Sequence, residues 1–166
     1  MKKISSDGFN DVCKYAGLVY VASGNEPTIH VYDPSTWSRI RTLPSACSFF
    51  HYYNHTLCVI GCRIILACLS THCIRVLDDS GALHQTHGKK GTEAGEFSFP
   101  KLCSAESDGS MLVADWDNNR LQVFQEGEWR VLQLQPQPLR PEDAVVTQHA
   151  LYVVTWDKKL IMYKID

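Results

Sequence analysis

Four metal-capable side chains crowd one short span of this sequence, His51-x3-His55-x2-Cys58-x3-Cys62, and close His and Cys pairs are how structural zinc sites are built. The chain between them argues against that chemistry. Leu57-Cys-Val-Ile60 reads as a strand and Gly61-Cys62 as the turn that ends it. An extended chain advances about 3.3 Å per residue, which spreads the ligands over more than about 10 Å. Buried thiols are the expected role of these cysteines. Cys68 and Cys73 flank one short loop, but the seven cysteines are an odd, scattered set. No apolar stretch follows Met1-Lys-Lys-Ile, so reduced thiols in a cytoplasmic protein are expected. Catalysis needs an acid, base or nucleophile to converge. Few candidates, chiefly Lys14, Glu106 and Thr147, fall on segments aimed at a common centre, and they form no such set. The reading is of a protein without catalytic activity, metal or cofactor.

Recognition chemistry is better supplied. Trp116, Asn118, Asn119 and Arg120 form one cluster and Trp156, Lys158 and Lys159 another, with His72, Lys89, Lys90, Tyr52 and Tyr53 beside other turns. Exposed aromatics anchor protein partners and also stack on unpaired bases. Lysines would neutralise phosphates, which dominate nucleic-acid affinity. Acidic residues outnumber the basic ones around these positions, among them Asp115, Asp117, Glu142, Asp143 and Asp157. A protein is therefore the first expectation for the partner and RNA the second. The whole chain carries 16 basic and 18 acidic residues, a formal net charge of −2, which offers no general attraction for polyanions. No apolar run approaches the roughly 20 residues of a membrane span.

These clusters sit in a repeat. Ala22, Ala67, Ala114 and Val154 recur at intervals of 45, 47 and 40 residues. Each is preceded by an apolar strand, Leu18-Val-Tyr-Val, Arg63-Ile-Ile-Leu, Ser110-Met-Leu-Val and Ala150-Leu-Tyr-Val. Each is followed by a polar loop and an alternating strand, such as Thr28-Ile-His-Val-Tyr-Asp and Arg120-Leu-Gln-Val-Phe-Gln. Inner strands are expected over 11–15, 57–60, 101–106 and 143–147, and outer strands over 37–43, 82–86 and 128–132. A period near 44 with four strands per unit is that of a propeller blade. The expected fold is all-β: one domain over residues 1–166, a β-propeller of four four-stranded antiparallel blades, either closed or part of a larger ring. The blades span about 9–43, 56–87, 100–134 and 141–166. The last lacks an outer strand, and residues 1–6, with Lys2-Lys-Ile-Ser5, are the candidate to supply it. Self-association is another way to complete the ring. No segment holds the apolar spacing of an amphipathic helix.

Within the third unit, Gly91-Thr-Glu-Ala-Gly-Glu-Phe-Ser-Phe-Pro100 and Val113-Ala-Asp-Trp-Asp-Asn-Asn-Arg-Leu-Gln-Val-Phe124 resemble the NHL repeat. The fourth unit shares Tyr152-Val-Val-Thr-Trp-Asp with that pattern, and the first, through Val21-Ala-Ser-Gly-Asn, is equally similar to YVTN-type propellers. The resemblance extends to the C-terminal propellers of tripartite-motif proteins. It implies recognition of protein or RNA through the loops and blade crossings of one rim, in a ubiquitination context. Ligase activity would need RING parts that this sequence does not carry.

Overall fold

Alternating β-branched and aromatic residues favour the pleated strand, and the polar dipeptides between them favour tight turns. The computed structural model describes residues 8–46 and 56–165, and these form fifteen strands with a single 3-10 turn, Leu69–Thr71. The first sheet holds β1 (Phe9–Tyr15), β2 (Leu18–Ser23), β3 (Thr28–Asp33) and β4 (Ser38–Pro44). The second holds β5 (Thr56–Ile60), β6 (Arg63–Cys68), β7 (Cys73–Asp78) and β8 (Leu83–His87). The third holds β9 (Pro100–Ala105), β10 (Met111–Asp115), β11 (Arg120–Gln125) and β12 (Glu128–Val131). The last has three strands, β13 (Pro141–Val146), β14 (Ala150–Thr155) and β15 (Leu160–Lys164). Every sheet is an antiparallel meander in chain order. The protein is all-β, with the architecture of propeller blades.

The inner strands begin earlier than the sequence suggested, at Phe9, Thr56, Pro100 and Pro141. Proline lacks a ladder donor and belongs at the first position of a strand, which is where Pro100 and Pro141 stand. The fourth blade has no outer strand among the described residues, and the candidate for it, Lys2-Lys-Ile-Ser5, lies outside them. Tyr52 and Tyr53 lie outside them too, as do His51 and His55. The thiol expectation needs correcting. Cys13, Cys58, Cys62, Cys73 and Cys103 are free, but Cys68 is disulfide-bonded, and Cys73, its neighbour across the β6–β7 ladder, is not its partner.

Hairpin chemistry repeats from blade to blade. Asp33, Asp78 and Asp108 each accept, through Oδ1, the amide and hydroxyl of the serine two residues on, the hydroxyl bond measuring 2.6 Å in each case. These bonds to the ionised form hold all three carboxylates below the usual aspartate range.

The core is a set of seams between consecutive blades. Tyr20, Ala22, Ile29 and Val31 of the first blade cover Leu57, Val59, Ile64 and Leu66 of the second. Ile65, Ala67 and Ile74 then cover Leu102, Met111 and Val113, and Leu112, Ala114 and Leu121 cover Ala144, Leu151 and Val153. Each fully buried aliphatic side chain contributes about 1.5–3 kcal/mol. Small alanines at the repeat anchors let neighbouring sheets approach. The inner strands pack in the order β1, β5, β9, β13, and no comparable packing joins β13 back to β1. The described blades thus form an open arc.

Candidate functional site

The loops joining second to third strands lie on the same rim as the crossings that lead into each inner strand. Two tethers of the same design tie loop to crossing. His72 Nδ1 accepts the Phe99 amide at 3.1 Å, and Asn119 Oδ1 accepts the Arg140 amide at 2.9 Å. Phe99 and Arg140 each precede the proline that starts an inner strand. His72, Phe99, Asn119, Arg140 and Lys158 all have positive φ, between 45° and 63°. For bulky L-residues that region costs about 1–2 kcal/mol each, and such outliers mark positions whose direction matters.

That geometry directs side chains into one continuous rib. The His72 ring lies 4.8 Å from Phe99, edge to face. Phe99 lies 6.2 Å from Trp116. The Arg140 guanidinium sits 4.5 Å over Trp116 and 5.7 Å from Trp156. The rib crosses three blades and ends on Trp156, whose side chain is 57% exposed. Trp116 is fixed at its other edge, where Nε1 donates to Glu142 Oε1 at 2.9 Å, and Glu142 also pairs with Lys101.

Beneath the rib, Asp115 is fully buried. Its Oδ1 accepts the Ser98 amide at 2.6 Å, and its Oδ2 accepts Arg120 Nε at 2.7 Å, Asn118 Nδ2 at 2.9 Å and Gln122 Nε2 at 3.0 Å. Arg120 then donates to the carbonyls of Thr92, Glu93 and Glu96. Asn118 reaches the Gly91 carbonyl, and Gln122 holds both the Gly95 amide and the Glu96 carbonyl. Asp115, Asn118, Arg120 and Gln122 are therefore the fastening of the crossing over residues 91–99.

The sequence-derived site residues accordingly divide. Trp116 and Trp156 come together through Arg140, with Lys158 and Lys159 in the loop after Trp156 and His72 at the far end of the rib. Asn118 and Arg120 turn inward to Asp115. Lys89 pairs with Glu96 at 3.2 Å and Lys159 with Asp157 at 2.6 Å. Burial first, and then the charge of Lys90, hold the His72 imidazole below its ordinary pKa, which suits a ring that accepts an amide proton. Sequence reasoning passed over Phe99 and Arg140 as contact residues. Their only sequence signal is the position before a proline that opens a strand.

The first strands of all four blades line a cavity of about 390 Å3. Cys13 and Cys58 meet beside it. The hydrogen bond from the Cys58 thiol outweighs burial and brings Cys13 down to about 6, while burial pushes the Cys103 thiol up to about 12. Among the described residues, no group of three or more His, Cys, Asp or Glu side chains is placed to hold a metal ion. Cys58 lies on β5 and Cys62 in the turn after it. No helix among the described residues is long and apolar enough to cross a membrane.

This fold and rim belong to the β-propeller class. No protein-family model matches the chain, and no curated protein matches it. Among solved structures it is similar to a protein of unknown function from Bacteroides thetaiotaomicron, with a TM-score of 0.79 at 14% identity over 95% of this chain and 47% of that one. It is similar to a streptogramin B lyase, with a TM-score of 0.65 at 13% identity over 96% of this chain and 55% of that one. The computationally designed Ika4 protein matches with a TM-score of 0.61 at 13% identity, over 98% of this chain and 94% of that one. The chain thus spans about half the length of the two natural propellers, and identities this low establish the fold alone.

Proposed function

We propose that this chain is a recognition module that binds a protein partner on the rim, centred on the rib of Phe99, Trp116, Arg140 and Trp156. The observation that carries this reading is the exposed Trp156 indole at the end of a pre-stacked row. Tryptophan and arginine held rigid before binding lose little entropy on contact and make the strongest anchors. The surrounding charge favours protein over nucleic acid. Lys89, Lys101, Arg140 and Lys159 each face a carboxylate within 4.0 Å, so the rim is a mosaic and not a track for phosphates. Asn118, Asn119 and Arg120 act in this reading by shaping the rim, while Lys158 and Lys90, which form no ion pair among the described residues, supply cations at its edge.

RNA is the second reading. Trp156 beside Lys158 and Arg140 offers a ring for base stacking together with positive charge. Affinity capture with the purified chain separates the two. The proposal expects a protein retained by the wild type and lost with Trp156→Ala and with Arg140→Ala, both variants keeping their circular dichroism. Retention unaffected by either change rejects the rib as the contact. Binding of single-stranded RNA that weakens steeply between 50 and 200 mM salt, on the order of a few hundredfold for six phosphate contacts, favours the second reading.

A further inference from the structure

Each internal seam buries the same register positions, so the two ends of the arc can be compared with them directly. On the face that looks toward the next blade, Ile29, Ile74 and Leu121 are 0% exposed, whereas their equivalent on the last blade, Leu160, is 68% exposed. Beside it, Val154 and Met162 stand at 43% and 55%. On the face that looks toward the preceding blade, Leu57, Leu102 and Ala144 are 6–8% exposed, but their equivalent on the first blade, Val12, is 62% exposed. Val12 lines a groove of about 500 Å3 with Val19, Val21, Tyr32 and Trp37. Among the described residues, one end of the molecule therefore carries a blade's covering face with nothing beneath it. The other carries a face built to be covered.

The polar side of the seam recurs at the first two seams, while at the third Lys101 stands in that register position and the Ala144 amide goes to Asp143 of its own blade. Asp11 Oδ1 holds the amide of its own neighbour Val12 at 2.8 Å, and its Oδ2 accepts the Leu57 amide of the following blade at 2.7 Å. Thr56 Oγ1 does the same for the Leu102 amide at 2.6 Å. Asp143 occupies that register position on the last blade and holds its own neighbour Ala144 at 2.8 Å as Asp11 holds Val12. It brings the same carboxylate to the open end.

We infer that the two open faces are the halves of one joint, and that a second copy of this chain closes the ring head to tail, with Tyr152, Val154, Leu160 and Met162 of one copy on Val12, Val19 and Val21 of the other. Two such joints related by a twofold axis along the ring satisfy both faces of both copies, which is the closed solution for complementary patches. They also bury twice the area of a single joint, as stable interfaces require.

Sedimentation equilibrium of the full chain over a concentration series tests this. The expected mass is about twice the 18.8 kDa of one chain. Leu160→Lys and Val12→Glu each return it to one chain with unchanged circular dichroism, because both side chains are exposed in a single copy. Met162→Lys serves as a second variant of the tail face. Mixed in equal amounts, Leu160→Lys and Val12→Glu regain the doubled mass, since each supplies the face that the other has lost, and the second joint sets an added ammonium against an added carboxylate. A wild type that stays at one chain's mass at every concentration overturns the inference. So does a dimer that survives either variant, a mass that grows without limit, or a mixture that fails to reassociate.

Discussion

Asp115 is the residue on which the rim's geometry converges. One buried carboxylate takes an amide, an amide side chain from each of Asn118 and Gln122, and the guanidinium of Arg120. Asp115→Ala leaves Arg120, 11% exposed, as a buried charge without its partner, and breaking such a pair costs about 3–5 kcal/mol. Chemical denaturation of the variant measures this, and a loss below about 1 kcal/mol contradicts the role given to Asp115. His72 makes a prediction in pH. Burial lowers the pKa of both His72 and His87, so both stay neutral in the fold while the unfolded chain takes up protons below about 6.5. The unfolded state then binds more protons, and stability falls as pH drops from 7 toward 5. Thermal melts across that range should show the fall, and His72→Asn, which keeps an acceptor and tolerates φ of 55°, should flatten it. Sequence showed Asp115, Asn118, Arg120 and Gln122 as a motif but not the direction each side chain faces, because that depends on a crossing that arrives from 17 to 28 residues earlier.

At the scale of the element, strands were legible because their period is two and their ends carry Asp, Gly and Pro. The alternating apolar runs of β2, β6, β10 and β14 fall where the sequence places them, within a residue or two at the ends. What alternation does not reveal is whether a face has a neighbour. Val154 matches Ala22, Ala67 and Ala114 in position, yet it is exposed where they are buried, because the pattern along one strand is the same with or without a following blade. The crossing over residues 88–99 is held by backbone geometry as much as by Asp115. Gly88 has φ of 82°, and a Cβ there would lie 2.4 Å from the Phe97 ring and 2.7 Å from the Gly95 carbonyl. Gly109 has φ of 89° but open space around it. Gly109→Ala should cost only the left-handed penalty of about 1–2 kcal/mol, and Gly88→Ala clearly more. Equal midpoints for the two variants in urea would contradict the packing described for Phe97.

At the scale of the molecule, the described residues form three buried seams and leave two faces uncovered. The seams make four sheets one body, and the uncovered faces give that body a direction. The rim with its rib lies across the arc, away from the two open faces, so the proposed partner binding and the proposed closure can be tested separately. The openness of the arc can be read by side-chain footprinting with a photolysed carbene, at a dilution where the mass is that of one chain. Leu160 and Val12 should be labelled strongly, while Ile29, Ile74 and Leu121 stay protected. Labelling of Leu160 as weak as that of Leu121 in a single chain would mean that the four blades close on themselves, and would contradict the account.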